Sequence, residues 1–178
     1  MKPRESLTIL VNDPSLTAWG YCVIRDGKVV KTNCIKTVPE NKKRRIRKGD
    51  DNVRRVSEII QVLKQEIENH SVNYLLTELP HGSQSSTGAV MIGVVLGIME
   101  TFAQCYQLGI EWYSEGDAKK AILGKISATK QETIDRIKTL YPGMVWMKAK
   151  YQNEAVADAL AIYHCATLSS SFIKFWNK

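Results

Sequence analysis

The chain has 178 residues, 44% hydrophobic and 24% charged, which suits one compact domain over 1–178 able to bury a full core and excludes a largely disordered polymer. Its formal net charge is +7, and six basic side chains (Lys42, Lys43, Arg44, Arg45, Arg47, Lys48) fall within seven residues, so the remainder carries a charge near neutrality. A concentrated positive segment suits a polyanion such as nucleic acid bound through counterion release; the competing reading is a merely solvated loop.

Met1 to Ser6 is polar and carries no apolar export core, which predicts a cytoplasmic protein. Leu7 to Asn12 reads as a buried strand ending at Asp13 and Pro14, since proline cannot continue a central ladder. Thr17 to Arg25 and Lys28 to Val38 flank Asp26 and Gly27, a pair that signals a tight hairpin. After the basic connection, Val53, Val56, Ile59, Ile60, Leu63 and Ile67 recur at helical spacing. Val72 to Thr77 reads as a fourth strand ending at Glu78.

Gly88 to Gln107 carries the most apolar helical pattern, which predicts the central buried helix, with Gly93 and Gly97 admitting another backbone. Its longest apolar run, Ala89 to Met99, stops at Glu100 and is too short to cross a bilayer, so no membrane association is expected. Gly109 to Tyr113 reads as a strand, Ala118 to Leu123 and Lys130 to Leu140 as helices, and the last long helix is expected from the cap Asn153 to about Leu168. Three antiparallel strands followed by alternating helices and strands predict an α/β fold: a mixed sheet of about five strands flanked by helices. Cys22, Cys34, Cys105 and Cys165 lack zinc-ligand spacing and read as reduced, buried thiols.

Three acids stand at informative places: Asp13 after the first strand, Glu78 after the fourth and Asp158 in the last helix. If those strands are parallel neighbours, both strand-end carboxylates emerge at one sheet edge, where ligand sites of open sheets lie. Converging carboxylates repel unless a cation neutralises them, and hard oxygen donors select Mg²⁺ or Mn²⁺. Such ions support phosphodiester hydrolysis. The competing reading is three solvated acids.

ILVNDPSLTAWGYCVI (Ile9 to Ile24), LLTELPHG (Leu75 to Gly82) and VADALAIYHCA (Val156 to Ala166) resemble, in order and spacing, the acidic motifs of RuvC-type Holliday-junction resolvases in the RNase H-like superfamily. AKKAILGKISATK (Ala118 to Lys130) is similar to that family's basic segment. The resemblance implies an RNase H-like fold with Asp13, Glu78 and Asp158 as metal ligands, and Lys119 and Lys130 as groups meeting the scissile phosphodiester. It further implies a homodimer making paired cuts across four-way DNA, leaving 5′-phosphate and 3′-hydroxyl ends, in a prokaryotic or phage setting. Gly93, Gly97 and their neighbours are candidates for the dimer interface, and Lys42 to Lys48, with Arg54 and Arg55 nearby, for tracking phosphates.

Several positions depart from the pattern. Ala155 stands where the family has an acid or histidine; Glu154, on nearly the same helix face, is the candidate replacement, against a role as a first-turn acid after Asn153. Ser15 replaces a glycine, and Asn12 an apolar residue. His81 occupies the place of an aromatic that wedges into the junction, and is a candidate DNA contact against an ordinary turn histidine. Two alternatives follow: another RNase H-like nuclease acting on flaps or hybrids, or a branched-DNA-binding protein whose catalysis is impaired by Ala155.

Overall fold

A computed structural model describes residues 6–40, 46–82 and 85–176. Strands β1 (Thr8–Asp13), β2 (Ala18–Arg25), β3 (Lys28–Lys36), β4 (Tyr74–Glu78) and β5 (Gly109–Tyr113) form one sheet in the order β3-β2-β1-β4-β5. The β1, β2 and β3 pairings are antiparallel, whereas β4 joins β1, and β5 joins β4, in parallel. Asp26 and Gly27 both adopt positive φ (47° and 79°), the conformation that a two-residue hairpin turn between right-twisted strands requires.

Helices α1 (Lys48–His70) and α2 (Ser86–Tyr106) cover one face of the sheet. Helices α3 (Glu115–Leu123), α4 (Lys130–Leu140), α5 (Lys150–Ser169) and α6 (Ser171–Trp176) gather on the other. Period-two alternation then sorts the side chains. Leu10, Trp19, Tyr21 and Leu75 pack under α1 and α2, while Ile9, Val11, Cys22, Ile24 and Leu76 pack under α5. Asp13 continues the parity of Ile9 and Val11, and Glu78 that of Tyr74 and Leu76, so both acids belong to the α5 face.

The central buried helix is α5, not α2 as the hydrophobic pattern predicted. Ala155, Ala157, Ala159, Ala161 and Ala166 are buried along it, and small side chains let its axis lie close to the sheet. The approach is tightest at Gly20 in β2, where a Cβ would stand 2.3 Å from the Ala155 carbonyl oxygen. Helix α2 buries Val95, Ile98, Met99, Phe102 and Ala103 but leaves Val90 60% exposed, and nothing lies within 4 Å of a Cβ built on Gly93 or Gly97. Among the described residues no second backbone uses those glycines. The apolar segment is also longer than expected: Gly88–Tyr106 is long and apolar enough, by length and composition, to span a bilayer. Its buried row packs on the sheet instead.

Three smaller differences have local causes. α5 begins at Lys150 after Ala149, three residues before the expected cap; Asn153 lies inside the helix, where its amide accepts from Met147 N and donates to Met147 O, both at 2.9 Å. Those bonds hold the preceding loop against the first turn. Cys105 is exposed rather than buried, while Cys22, Cys34 and Cys165 are buried and all four are free. Asn12 is fully buried because its amide donates to Leu10 O and Leu76 O and accepts from Trp19 Nε1, stitching β1 to β4 beneath the strand end that carries Asp13.

Candidate active site

Parallel pairing of β1 with β4 brings their carboxyl ends together, and Asp13 and Glu78 are the last residues of those strands. Asp158 stands one helical turn beyond Ala155, the residue pressed onto Gly20, and Gly20 is the register partner of Asp13. The close crossing of α5 over β2 therefore aims Asp158 at the same edge. All three acids line one pocket of about 390 Å³, together with Ser15, Ala18, Glu115, Lys130, Tyr151, Glu154 and Ala155.

The electrostatics are those of crowded anions. Burial, followed by the Asp158 and Glu78 charges, raises Asp13 well above the usual carboxylate range. Glu78 is pushed up to about 7, first by burial and then by Asp158 and Glu115. Asp158 rises to about 6, mainly through burial, with Lys130 pulling the other way and Glu115 adding to the rise. Repulsion of this kind is what a divalent cation would offset, and the donors are hard oxygens suited to Mg²⁺ or Mn²⁺ rather than to a thiophilic metal. Among the described residues no group of three or more histidine, cysteine or carboxylate side chains forms a ready-made cage for one ion. The pocket's volume instead suits ions that retain part of their water shell.

The remaining candidates fall at different places. Lys130, the first residue of α4, lines the pocket and is 58% exposed, with Glu154 at 3.8 Å. Lys119 is only 14% exposed, and its ammonium is held by Glu115 at 2.6 Å. Glu154 lines the pocket between Lys130 and Lys150, the latter at 3.9 Å. His81 is exposed on the connection after β4.

Arg47 and Lys48 are exposed at the start of α1, where Arg47 pairs with Asp50 at 2.8 Å. Lys42, Lys43, Arg44 and Arg45 lie outside the described residues. The basic connection leaves β3 beyond Lys36, the register partner of Ala18, and so departs from the same sheet edge as the pocket.

Two arginines grouped with that basic segment do other work. Arg55 is buried, donating to Thr37 Oγ1 at 2.7 Å, Thr17 Oγ1 at 2.9 Å and Leu16 O at 3.2 Å, so it fastens the loop after Asp13 to the end of β3. Arg54 is engaged by Asp51 and Glu58. Sequence reading also missed Glu115 and Tyr151. Glu115 falls before the helix expected from Ala118, whereas α3 begins at Glu115 itself behind the cap Ser114. Tyr151, with the Lys36 ammonium 5.0 Å from its ring centre, lies in a turn that was not expected to be helical.

The family model for crossover junction endodeoxyribonuclease RuvC matches residues 9–166, a span that holds every pocket acid named above. The chain belongs to the RuvC family. RuvC proteins are metal-dependent nucleases, in keeping with the carboxylate pocket. Two relatives, the crossover junction endodeoxyribonucleases RuvC of Rickettsia bellii strains OSU 85-389 and RML369-C, are each 24% identical over 170 residues, covering 93% of this chain and 100% of the relative. The fold is shared with Thermus thermophilus RuvC. A structure of that protein in complex with Holliday junction substrate superposes with a TM-score of 0.69 at 18% identity, covering 92% of this chain and 97% of the other. A second Thermus thermophilus RuvC structure gives 0.67 at 18% identity, covering 92% and 98%.

Proposed function

We propose that this chain is a metal-dependent endonuclease that resolves four-way DNA junctions by paired phosphodiester hydrolysis, carried by one domain over residues 1–178 and acting on DNA in the cytoplasm of a prokaryotic or phage-infected cell. The observation that carries the reading is the meeting of Asp13, Glu78 and Asp158 in one pocket of a chain that belongs to the RuvC family. In this reading those three carboxylates would hold Mg²⁺ or Mn²⁺. When bound there, such ions supply activation of the attacking water and stabilisation of the leaving oxygen.

The chain's own side chains do the rest. Lys130, exposed at the pocket rim, meets a non-bridging oxygen of the scissile phosphate, and Lys119 adds a second positive charge once it leaves Glu115. Lys42 to Lys48 track the phosphates of a DNA arm, supported by the departure of that segment from the pocket's edge of the sheet. His81, exposed beyond Glu78, is placed in this reading against the junction's bases or phosphates.

A twofold substrate suits a twofold enzyme, and a homodimer is supported by the open apolar side of α2. There Ile60, Val94, Gly97, Ile98 and Phe102 line a shallow groove of about 270 Å³. A second reading rests on Ala155, which offers no donor: a protein that binds branched DNA but cuts it poorly.

A cleavage panel decides among these. An immobile four-way junction, a 5′ flap, an RNA–DNA hybrid and linear duplex are each incubated with the protein in Mg²⁺ or Mn²⁺. Symmetric paired nicks confined to the junction are expected. Cleavage of flap or hybrid with the junction left intact would transfer the chain to another RNase H-like activity, and junction binding without nicks would establish the impaired form.

A further inference from the structure

Three parallel strand ends, not two, deliver acids to the pocket. Glu78 is the register partner of Tyr113, the last residue of β5, and two residues further on the chain enters α3 at Glu115. Ser114 caps that turn by accepting from Asp117 N at 3.0 Å, which fixes the point at which strand becomes helix. Asp13, Glu78 and Glu115 therefore follow β1, β4 and β5 in spatial order along one edge, with Asp158 reaching in from α5.

Glu115 lines the pocket, and its charge bears on Asp13, Glu78 and Asp158 alike, raising all three. The Glu154 charge acts on Asp158, and that carboxylate stands between two lysines, Lys130 at 3.8 Å and Lys150 at 3.9 Å. Glu115 has a different cation. Lys119, four residues along α3, holds it at 2.6 Å and is nearly enclosed in doing so. Within an all-carboxylate pocket a divalent ion competes for Glu115 on favourable terms, because it carries twice the charge of an ammonium and coordinates several oxygens at once.

We propose that Glu115 is a fourth carboxylate of the metal site, exchanging its partner Lys119 for the divalent cation, so that ion binding frees Lys119 to face the scissile phosphate. The proposal rests on the reading of Asp13, Glu78 and Asp158 as metal ligands given above. It makes the Glu115–Lys119 pair an exchangeable contact rather than a brace for α3. It also assigns the additional acid to the strand-end row, leaving Glu154 as the partner of Lys130 and Lys150.

The test is a calorimetric titration of Mn²⁺ into the full chain without DNA, on wild type, Asp13→Asn, Glu115→Gln, Glu154→Gln and Lys119→Met, with thermal unfolding in EDTA to verify folding of each. Glu115→Gln is expected to weaken Mn²⁺ binding about tenfold or more, Glu154→Gln to leave it within about twofold, and Asp13→Asn to abolish it. Lys119→Met, which leaves Glu115 unpaired, is expected to tighten binding severalfold, and adding Glu115→Gln should cancel that gain; a gain that survives in the double variant reports only the loss of the Lys119 charge beside Glu78 and Asp158 and overturns the exchange. Unaltered affinity in Glu115→Gln, with Asp13→Asn still abolishing binding, overturns the proposal while sparing the reading beneath it. Unaltered or weaker binding by Lys119→Met overturns the exchange, and full binding by Asp13→Asn overturns the underlying site itself.

Discussion

Gly20 is the position where fold and site are most tightly joined, and Gly20→Ala is the substitution expected to disturb both. The added Cβ would meet the Ala155 carbonyl oxygen at 2.3 Å and its carbon at 2.4 Å, whereas real Cβ contacts stay above 3.0 Å, so α5 and β2 must part by at least about 0.7 Å. The obstructing atoms are backbone, so no rotamer change relieves them. Overpacking of this kind costs about 1–3 kcal/mol, which lowers the melting temperature of a chain this size by about 2–12 °C. The same displacement moves Asp158 away from Asp13, because Gly20 faces Ala155 on one side and is the register partner of Asp13 on the other. Misplacing a reacting group by about 1 Å costs on the order of 10²-fold in rate. Thermal unfolding and single-turnover junction cleavage measure the two effects. Adding Ala155→Gly should not restore either, since the carbonyl remains. A Gly20→Ala protein that melts within about 1 °C of wild type and cuts at an undiminished rate would refute the argument that this crossing sets the site.

Other outcomes follow from the same contacts. Arg55→Ala should destabilise the chain by about 2–4 kcal/mol, because it removes three hydrogen bonds, one buried and two part-buried, made by a buried charged donor, while leaving the salt dependence of DNA binding unchanged; chemical denaturation and binding titrations check both parts. In EDTA, stability should fall as pH rises from about 4 to about 7. Glu78 and Asp158 titrate near 7 and 6 in the folded chain against about 4 when unfolded, so within that window the folded state holds the extra protons, and raising pH favours unfolding. Mn²⁺ should raise the melting temperature strongly at pH 7.5 and little at pH 4.5; a metal-free stability that climbs across the window would contradict this. Neutralising the six basic residues from Lys42 to Lys48 should reduce the slope of log affinity against log salt by about 3–5, and an unchanged slope would remove that segment from the DNA interface.

Much of the sheet was legible in the sequence because turn chemistry and strand punctuation are local. Asp26-Gly27 marked the hairpin, and Asp13-Pro14 and Glu78 marked strand ends. Less legible was the helix assignment. The valines, isoleucines and methionines of α2 suggested the core, yet the alanine-rich α5 occupies it, since close approach to a sheet depends on small side chains and a facing glycine rather than on total hydropathy.

Asp13 and Glu78 were visible as acids at strand ends, but their shared face was not, because β1 and β4 are buried on both sides and show no alternation. Glu115 fell in the connection before the helix expected from Ala118 and is revealed only by the parallel pairing of β4 with β5. Arg55 looked like part of a basic surface until tertiary packing enclosed it.

The central claim is that Asp13, Glu78 and Asp158 act together in cutting DNA rather than in holding it. The most direct measurement compares junction binding and junction cleavage for Asp13→Asn, Glu78→Gln and Asp158→Asn side by side with wild type in Mg²⁺. Each variant is expected to bind the junction within about threefold of wild type and to cut it at least about 100-fold more slowly. Cleavage at the wild-type rate by any one of the three, with binding intact, would contradict the account.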